Sequence, residues 1–149
     1  MDFTGVKIAL IYDNKLLVIQ RDNKPGLRFA GLWDFPGGGR EGNETPFECV
    51  SREVMEELGI ELKASSIIWQ STHPAMHDPK IIAYFMVSNI SQADIQSIHF
   101  GDEGQGWKLI SIDEFMQAGD VVEPLKARLQ TYLDSKSIPG SNAANSATN

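Results

Sequence analysis

The apolar positions near the start of the chain predict two β-strands joined by a tight turn. Residues 6–12 have the sequence VKIALIY and residues 15–21 have KLLVIQR, both rich in the aliphatic side chains found in strands. The Asp13-Asn14 pair between them is a hairpin turn signal. Residues 22–32 are rich in turn residues and predict a loop. Further strands are predicted within residues 33–44, where a short strand enters a glycine-rich loop, and within 65–73, 80–90 and 101–112.

The most distinct helical pattern in the chain covers residues 45–58. Thr45 is suited to the N-cap, Pro46 to the first helical position, and Glu48 completes a capping box with Thr45. Gly59 is placed to end the helix in the left-handed conformation. The apolar positions recur at helical spacing, at Phe47, Val50, Val54 and Leu58.

Two more helices are predicted near the end of the chain. Residues 111–119 open with a second capping-box pattern, Ser111 and Glu114, and predict a short helix. Residues 123–136 predict an amphipathic helix, with leucines at positions 125, 129 and 133. Strands interspersed with helices indicate an α+β layered fold. We therefore predict one domain over residues 1–136, followed by a flexible polar tail over residues 137–149.

Composition and charge limit which binding partners the protein can have and which cellular compartment suits it. The 149 residues carry a net charge of −7, which disfavours nucleic acid and anionic membranes because both bind positive patches. A small phosphate ligand remains compatible if a metal supplies the positive charge. The one cysteine, Cys49, excludes an internal disulfide and fits a reducing cytoplasm. We expect no signal peptide and no membrane span, since no apolar run approaches about 18 residues.

The predicted helix over residues 45–58 carries an unusual cluster of like charges. On a helical wheel Glu53, Glu56 and Glu57 fill an arc of about 100° that borders the apolar stripe. Carboxylates so placed are expected to be partly shielded from water, which strengthens their repulsion. One interpretation is a solvated acidic face with Arg52 as a surface partner. The other is a site for a hard divalent cation, because clustered carboxylate oxygens bind Mg²⁺ together with substrate phosphates.

The loop that leads into this helix favours the second interpretation. It contains consecutive glycines at positions 37–39, which let the backbone approach a ligand closely. Glu44 lies eight residues before Arg52, so the two side chains can pin the loop to the helix. The loop and the acidic helix face together therefore indicate a phosphate ligand that is held through a metal.

These residues resemble the sequence signature of the Nudix family. The match runs from Gly38 through Glu44 to the stretch Arg52-Glu53-Val54-x-Glu56-Glu57-x-Gly59-Ile60, and it holds at every defined position. The resemblance implies an α/β/α sandwich around a mixed sheet. It also implies hydrolysis of a nucleoside diphosphate linked to another group, with a small-molecule nucleotide as the partner and a monomer or homodimer as the working form.

The same resemblance implies roles for individual residues. Glu53, Glu56 and Glu57 would ligate Mg²⁺ or Mn²⁺, with the Gly38 carbonyl and Glu103 as further metal ligands. Either Glu53 or Glu57 would be the general base, while Glu44 and Arg52 would hold the loop–helix geometry. Substrate-binding residues are expected at Arg21, Arg28, Phe35, Gly37, Gly39 and Trp107.

Within the family the chain is most similar to the MutT-type nucleoside triphosphate pyrophosphohydrolases. Three stretches carry this similarity: WDFPGGG, DEGQGWKLIS and EPLKARL. One position departs from that type, since Val122 stands where an asparagine binds the purine edge. An oxidised or an ordinary nucleoside triphosphate is therefore expected as substrate, and nucleotide sugars and dinucleoside polyphosphates remain alternatives.

Two other functional classes compete with the enzyme hypothesis. A Nudix-fold regulatory module would bind a nucleotide without hydrolysing it, and such modules commonly lack the glutamates that this chain retains. A structural or interaction domain with an incidental acidic helix is the third reading. Metal titration distinguishes the third class from the first two, and turnover distinguishes the first two from each other.

Overall fold

The computed structural model of the protein describes residues 2–137. The elements in chain order are β1 (Gly5–Tyr12), β2 (Lys15–Gln20), β3 (Trp33–Asp34), β4 (Gly37–Gly39), α1 (Pro46–Leu58), a 3₁₀ turn (Ala64–Ser66), β5 (Ile67–Pro74), β6 (Ile82–Asn89), α2 (Gln92–Gln96), β7 (Gly106–Ser111), α3 (Ile112–Gln117) and α4 (Pro124–Ser137).

The strands of the described residues form one mixed sheet. Its main path runs β3-β2-β1-β6-β5, while β4 pairs with β1 and β7 pairs with β2. Strands β1 and β6 are parallel, and the other pairs are antiparallel. The predicted hairpin joins β1 to β2, with Asp13 and Asn14 at φ 51° and 60°. Positive φ at both central residues is the geometry of the type I′ turns that suit hairpins.

Alternate side chains of the central strands supply two separate cores, one on each face of the sheet. Ile8 and Leu10 of β1 pack with the apolar stripe of α1. Ala9 packs on the other face with Phe115 of α3 and Leu129 of α4. Helices therefore cover both faces of a mixed sheet, which confirms the predicted α+β sandwich.

The structure adds three elements that the sequence pattern did not predict, and one of them is the 3₁₀ turn Ala64–Ser66 before β5. Strand β4 forms where a glycine-rich loop was expected, because Gly37–Gly39 hydrogen-bonds to β1 along residues 5–7. The short helix α2 begins at a capping box formed by Ser91 and Asp94. The other predicted strands and helices are present, with Leu125 and Leu129 of α4 fully buried as expected.

The predicted flexible tail over residues 137–149 lies outside the described residues, except for Ser137, at which α4 ends. No helix within residues 2–137 has the length and apolar character needed to cross a membrane.

Candidate functional site

Local chemistry fixes both ends of the helix that carries the acidic cluster. The Thr45 side chain accepts a hydrogen bond from the Glu48 N–H, and the Glu48 carboxylate accepts one from the Thr45 N–H. At the other end Gly59 has φ 69° and donates its N–H to the Met55 carbonyl. Helix α1 therefore begins at Pro46, after β4 and the loop over residues 40–45, at the position that the sequence predicts.

Arg52 is the centre of a network that joins the loop before α1 to the helix. Its guanidinium donates two hydrogen bonds to Glu44, at 2.7 and 3.1 Å, and a third to the Gly39 carbonyl at 2.8 Å. It also bonds Glu53 at 3.0 Å and Glu56 at 3.2 Å. The contact predicted between Glu44 and Arg52 is therefore present, and it ties β4 and the following loop to α1.

The three clustered glutamates of α1, Glu53, Glu56 and Glu57, differ in exposure. The Glu53 side chain is 17% exposed and Glu57 is half-buried, whereas the Glu56 side chain is 57% exposed. The expectation that all three are shielded from water is therefore right for Glu53 and Glu57 and wrong for Glu56. Glu56 lies on the solvent side of the arc, where its partner is Arg52.

Burial and hydrogen bonding shift the pKa values of the carboxyl groups at this site in different directions. Burial raises the pKa of the Glu57 carboxyl to about 8, although Lys7 and the Gly37 N–H oppose the rise. Burial also raises the pKa of Glu53, against the hydrogen bond from Arg52. The Arg52 hydrogen bonds instead lower the pKa of Glu44. Glu44 is thus stabilised in its ionised form, whereas burial disfavours the ionised forms of Glu53 and Glu57.

Strand β4 lies directly against these two carboxylates. The Gly37 N–H donates to Glu57 Oε1 at 2.9 Å. A Cβ atom at Gly38 would lie 2.6 Å from the Glu53 carboxyl carbon, so a side chain there would displace Glu53. The Gly38 carbonyl, expected as a metal ligand, accepts a hydrogen bond from the Cys49 thiol at 3.6 Å.

The loop that contains Glu103 is seated on the C-terminal end of α1. The Gly101 N–H donates to the Glu57 carbonyl at 2.9 Å, and a Cβ at Gly101 would lie 2.3 Å from the Glu56 carbonyl oxygen. Glu103 follows two residues later with an exposed side chain. The loop therefore packs on the end of α1, and the role of Glu103 as a metal ligand stays a prediction.

The donor set suits a hard divalent cation. Within residues 2–137 no group of three or more His, Cys, Asp or Glu side chains is placed so that it could hold a metal ion by itself. Mg²⁺ does not need one, because it is commonly bound by one or two carboxylates together with substrate phosphates. Glu53 and Glu57, half-buried and with raised pKa values, provide such a pair.

The two arginines expected to bind substrate both have partners within the protein. Arg21 donates to Asp34 Oδ2 at 3.1 Å and to the Arg28 carbonyl at 3.0 Å. Arg28 donates to the Met76 carbonyl at 2.6 Å and stacks on the Phe29 ring. They hold the 22–32 loop against the sheet and against the β5–β6 connection.

Of the two aromatic side chains expected as pocket walls, one is in the core. Phe35 is 1% exposed and stacks on Phe115 with ring centroids 4.7 Å apart. Its ring is a core contact, which corrects the expectation that it lines a pocket. Trp107 is half-buried on β7, opposite Ile19 of β2, and packs against the core beneath α1.

Sequence reasoning missed three charged side chains close to the glycine strand: Lys7, Asp34 and Arg128. Lys7 Nζ lies 3.0 Å from Asp34 Oδ2, which also pairs with Arg21. Arg128 is 4% exposed on α4. Two of them had a signal, since Lys7 interrupts an apolar strand and Arg128 interrupts the leucine stripe of an amphipathic helix.

Comparison with known proteins adds enzymes that resemble part of the chain. An 8-oxo-dGTP diphosphatase of Proteus vulgaris is 32% identical over 75 residues, covering 50% of this chain and 65% of the relative. An ADP-ribose pyrophosphatase of Methanocaldococcus jannaschii is 33% identical over 95 residues, covering 62% of this chain and 52% of the relative. The matches thus span less than two thirds of each relative's length.

The fold and the family are matched over most of the chain. The crystal structure of a MutT protein from Methanosarcina mazei superposes with a TM-score of 0.73 at 19% identity, covering 93% of this chain and 99% of that one. The model of the NUDIX domain matches residues 2–131, which contain the whole carboxylate site. The chain belongs to the Nudix domain family.

Proposed function

We propose that the protein is a metal-dependent pyrophosphohydrolase. Its substrate is a nucleoside diphosphate linked to a further group, and we propose a nucleoside triphosphate, oxidised or not, that is split into monophosphate and pyrophosphate. The observation that carries the proposal is the pair of half-buried carboxylates, Glu53 and Glu57, held against the backbone of β4. The similarity to an 8-oxo-dGTP diphosphatase supports the substrate class.

The residues divide into a binding set and a positioning set. Glu53 and Glu57 would hold Mg²⁺ or Mn²⁺, with Glu56 and Glu103 as further carboxylates at the same end of the site. The metal would supply the positive charge that neutralises phosphate oxygens during hydrolysis. Arg52 and Glu44 would hold strand β4 in position beside helix α1.

Proton transfer is assigned to the same pair of carboxylates. Either Glu53 or Glu57 accepts the proton of the attacking water, since a general base works best with a pKa near the operating pH. Both carboxylates lie against β4, so a phosphate chain along the glycine backbone would meet them. Arg21 and Arg28 are proposed to contact the phosphates after exchanging their present partners, Asp34 and Met76.

A substrate panel tests the proposal. Purified protein with Mg²⁺ is offered dGTP, 8-oxo-dGTP, the other nucleoside triphosphates, ADP-ribose, a nucleotide sugar and a diadenosine polyphosphate, and products are identified by mass. We expect one triphosphate to give monophosphate and pyrophosphate. Glu57→Gln should lower kcat by about a hundredfold or more. Glu61→Gln, an exposed glutamate beyond the end of α1, is the matched control.

Two results would contradict the proposal in different ways. Turnover of ADP-ribose alone, the substrate named for the Methanocaldococcus relative, would keep the hydrolase and replace the substrate class. Absence of turnover on the whole panel, with metal-dependent nucleotide binding, would instead favour the regulatory module.

A further inference from the structure

A buried arginine on α4 has most of its hydrogen-bonding capacity unused. Arg128 is 4% exposed, and a guanidinium carries five N–H donors. Among the residues that the structure describes, it makes one hydrogen bond, from Nη2 to the Pro74 carbonyl at 3.1 Å, and no ion pair. Buried polar groups are normally satisfied, so unused donors on a buried cation point to a ligand.

Arg128 faces a small cavity between α4 and the sheet. The cavity has a volume of about 230 Å³, below the range of about 300–1,000 Å³ typical of sites that hold a whole drug-sized ligand. It therefore takes one group of a larger substrate. Its lining includes Lys7, Gly38, Gly39, Ala75, Met76 and Arg128.

The lining fits a flat ring better than a phosphate. Lys7 lies in the cavity wall, but its ammonium is paired with Asp34 at 3.0 Å. The wall also contains the apolar side chains of Val6, Ala75, Met76 and Ala83, together with the polar side chains of Thr4 and His77. A buried guanidinium beside apolar surface and a few polar groups matches a heteroaromatic base, whose faces are apolar and whose edge accepts hydrogen bonds.

The cavity adjoins the carboxylate site through a shared strand. Gly38 lines the cavity, and the position of its absent Cβ lies against the Glu53 carboxylate. Gly39 also lines the cavity, and its carbonyl accepts a hydrogen bond from Arg52. A substrate that crosses β4 can therefore place one end in the cavity and its phosphates beside Glu53.

Resting on the proposed function, we propose that this cavity holds the nucleobase and that Arg128 determines which base is accepted. Two N–H groups of a guanidinium match two adjacent acceptors, as on the O6/N7 edge of guanine. The N3/O2 edge of cytosine offers the same pair. Adenine places its amino donor beside N1 and N7, so at either of these edges one N–H of Arg128 would face another donor. Guanine and cytosine nucleotides are therefore preferred over adenine nucleotides.

The kinetic test compares bases in matched variants. Arg128→Met removes the donors but keeps a long side chain, and Lys126→Met removes a charge from the same helix outside the cavity. We expect the wild type to favour dGTP or dCTP over dATP by kcat/KM, and Arg128→Met to reduce that ratio about tenfold. Lys126→Met should keep it. An unchanged ratio in Arg128→Met, an equal loss for all bases, or a wild-type preference for dATP would overturn the proposal.

A binding measurement tests whether the cavity holds the base if no triphosphate is hydrolysed or if Arg128→Met does not fold. Wild-type protein in EDTA is titrated with dGMP, dCMP or dAMP while backbone amide NMR signals are followed. Larger shifts at Gly38, Gly39 and Met76 with dGMP or dCMP than with dAMP would support the proposal. Equal shifts with all three, or none at these amides, would overturn it without bearing on the hydrolase activity.

Discussion

At the scale of single residues, the site depends on a glycine that leaves room for a carboxylate. A Cβ atom at Gly38 would lie 2.6 Å from the Glu53 carboxyl carbon, closer than real contacts allow. The neighbouring Gly37 supplies an N–H to Glu57. Two consecutive glycines therefore let the backbone replace side chains as the wall of the carboxylate site.

We predict that Gly38→Ala displaces the end of the flexible Glu53 side chain and lowers kcat/KM by at least about tenfold, while stability falls by less than about 1 kcal/mol. Activity with the preferred nucleotide and urea denaturation check the two effects. Gly119→Ala is the control, since a Cβ there meets nothing within 4 Å. An active Gly38→Ala protein would show that Glu53 does not need its present position.

A second residue-scale prediction concerns Glu57 in metal-free protein. Its pKa is raised from 4.5 to about 8, so between these values the folded state binds a proton that the unfolded state has released. Stability contributed by Glu57 is therefore present below about pH 4.5 and is lost as pH rises toward 8. Glu57→Gln mimics the protonated form and removes this dependence.

The measurement is urea denaturation in EDTA at about pH 5 and about pH 8. Glu57→Gln should match the wild type at the lower pH and exceed it by roughly 2–4 kcal/mol at the higher pH. Other groups titrate in the same window, including His73, whose pKa burial lowers. They are common to both proteins, so the difference isolates Glu57. Parallel pH profiles would refute the prediction.

At the scale of elements, the junction between β4 and α1 is held by one arginine. Arg52 donates to Glu44 in the loop, to the Gly39 carbonyl and to Glu53 on its own helix. The planar arginine guanidinium donates these hydrogen bonds in several fixed directions at the same time, whereas the ammonium of a lysine does not match this geometry. The junction is therefore specific for arginine.

A double-mutant cycle tests this junction. Arg52→Lys and Glu44→Gln should each destabilise the protein, with a coupling energy of about 1–2 kcal/mol in urea denaturation. Because both residues position β4, each variant should also reduce kcat. Additive effects of the two substitutions would mean that the pair does not act as a unit.

The elements also show which features the sequence could predict. Helix α1 was predictable because its ends are fixed by neighbours in sequence, Thr45, Glu48 and Gly59. Helix α2 was missed because five residues present too few apolar positions to reveal a helical period. Strand β4 was missed because three glycines carry no strand pattern, and pairing with β1 decides their conformation.

The residues of the candidate site also divide into those that the sequence could predict and those that it could not. The Nudix signature placed Glu44 and Arg52 together because their spacing around one helix end is short. Arg128 was missed because its burial depends on α4 packing against the end of β5, 54 residues away at Pro74. The burial of Phe35 likewise depends on Phe115, far along the chain.

At the scale of the whole molecule, the sheet separates a region of acidic side chains from a region that contains a buried cation. The α1 side carries the carboxylates, and the α4 side carries the cavity with Arg128. Strand β4 contacts both, so it is the place where phosphates and base would meet. The surrounding charge is acidic, with a net charge of −7.

That net charge leads to a prediction about association with an anionic nucleotide. Long-range repulsion slows encounter at low salt, and added salt screens it as the Debye length falls from about 30 Å at 0.01 M to about 8 Å at 0.15 M. At constant saturating Mg²⁺, kcat/KM should rise several-fold over this range. The value of kcat should stay nearly constant, because a formed complex no longer depends on encounter. If kcat/KM falls instead, the local field of Lys7, Arg21 and Arg128 attracts the nucleotide more strongly than the rest of the surface repels it.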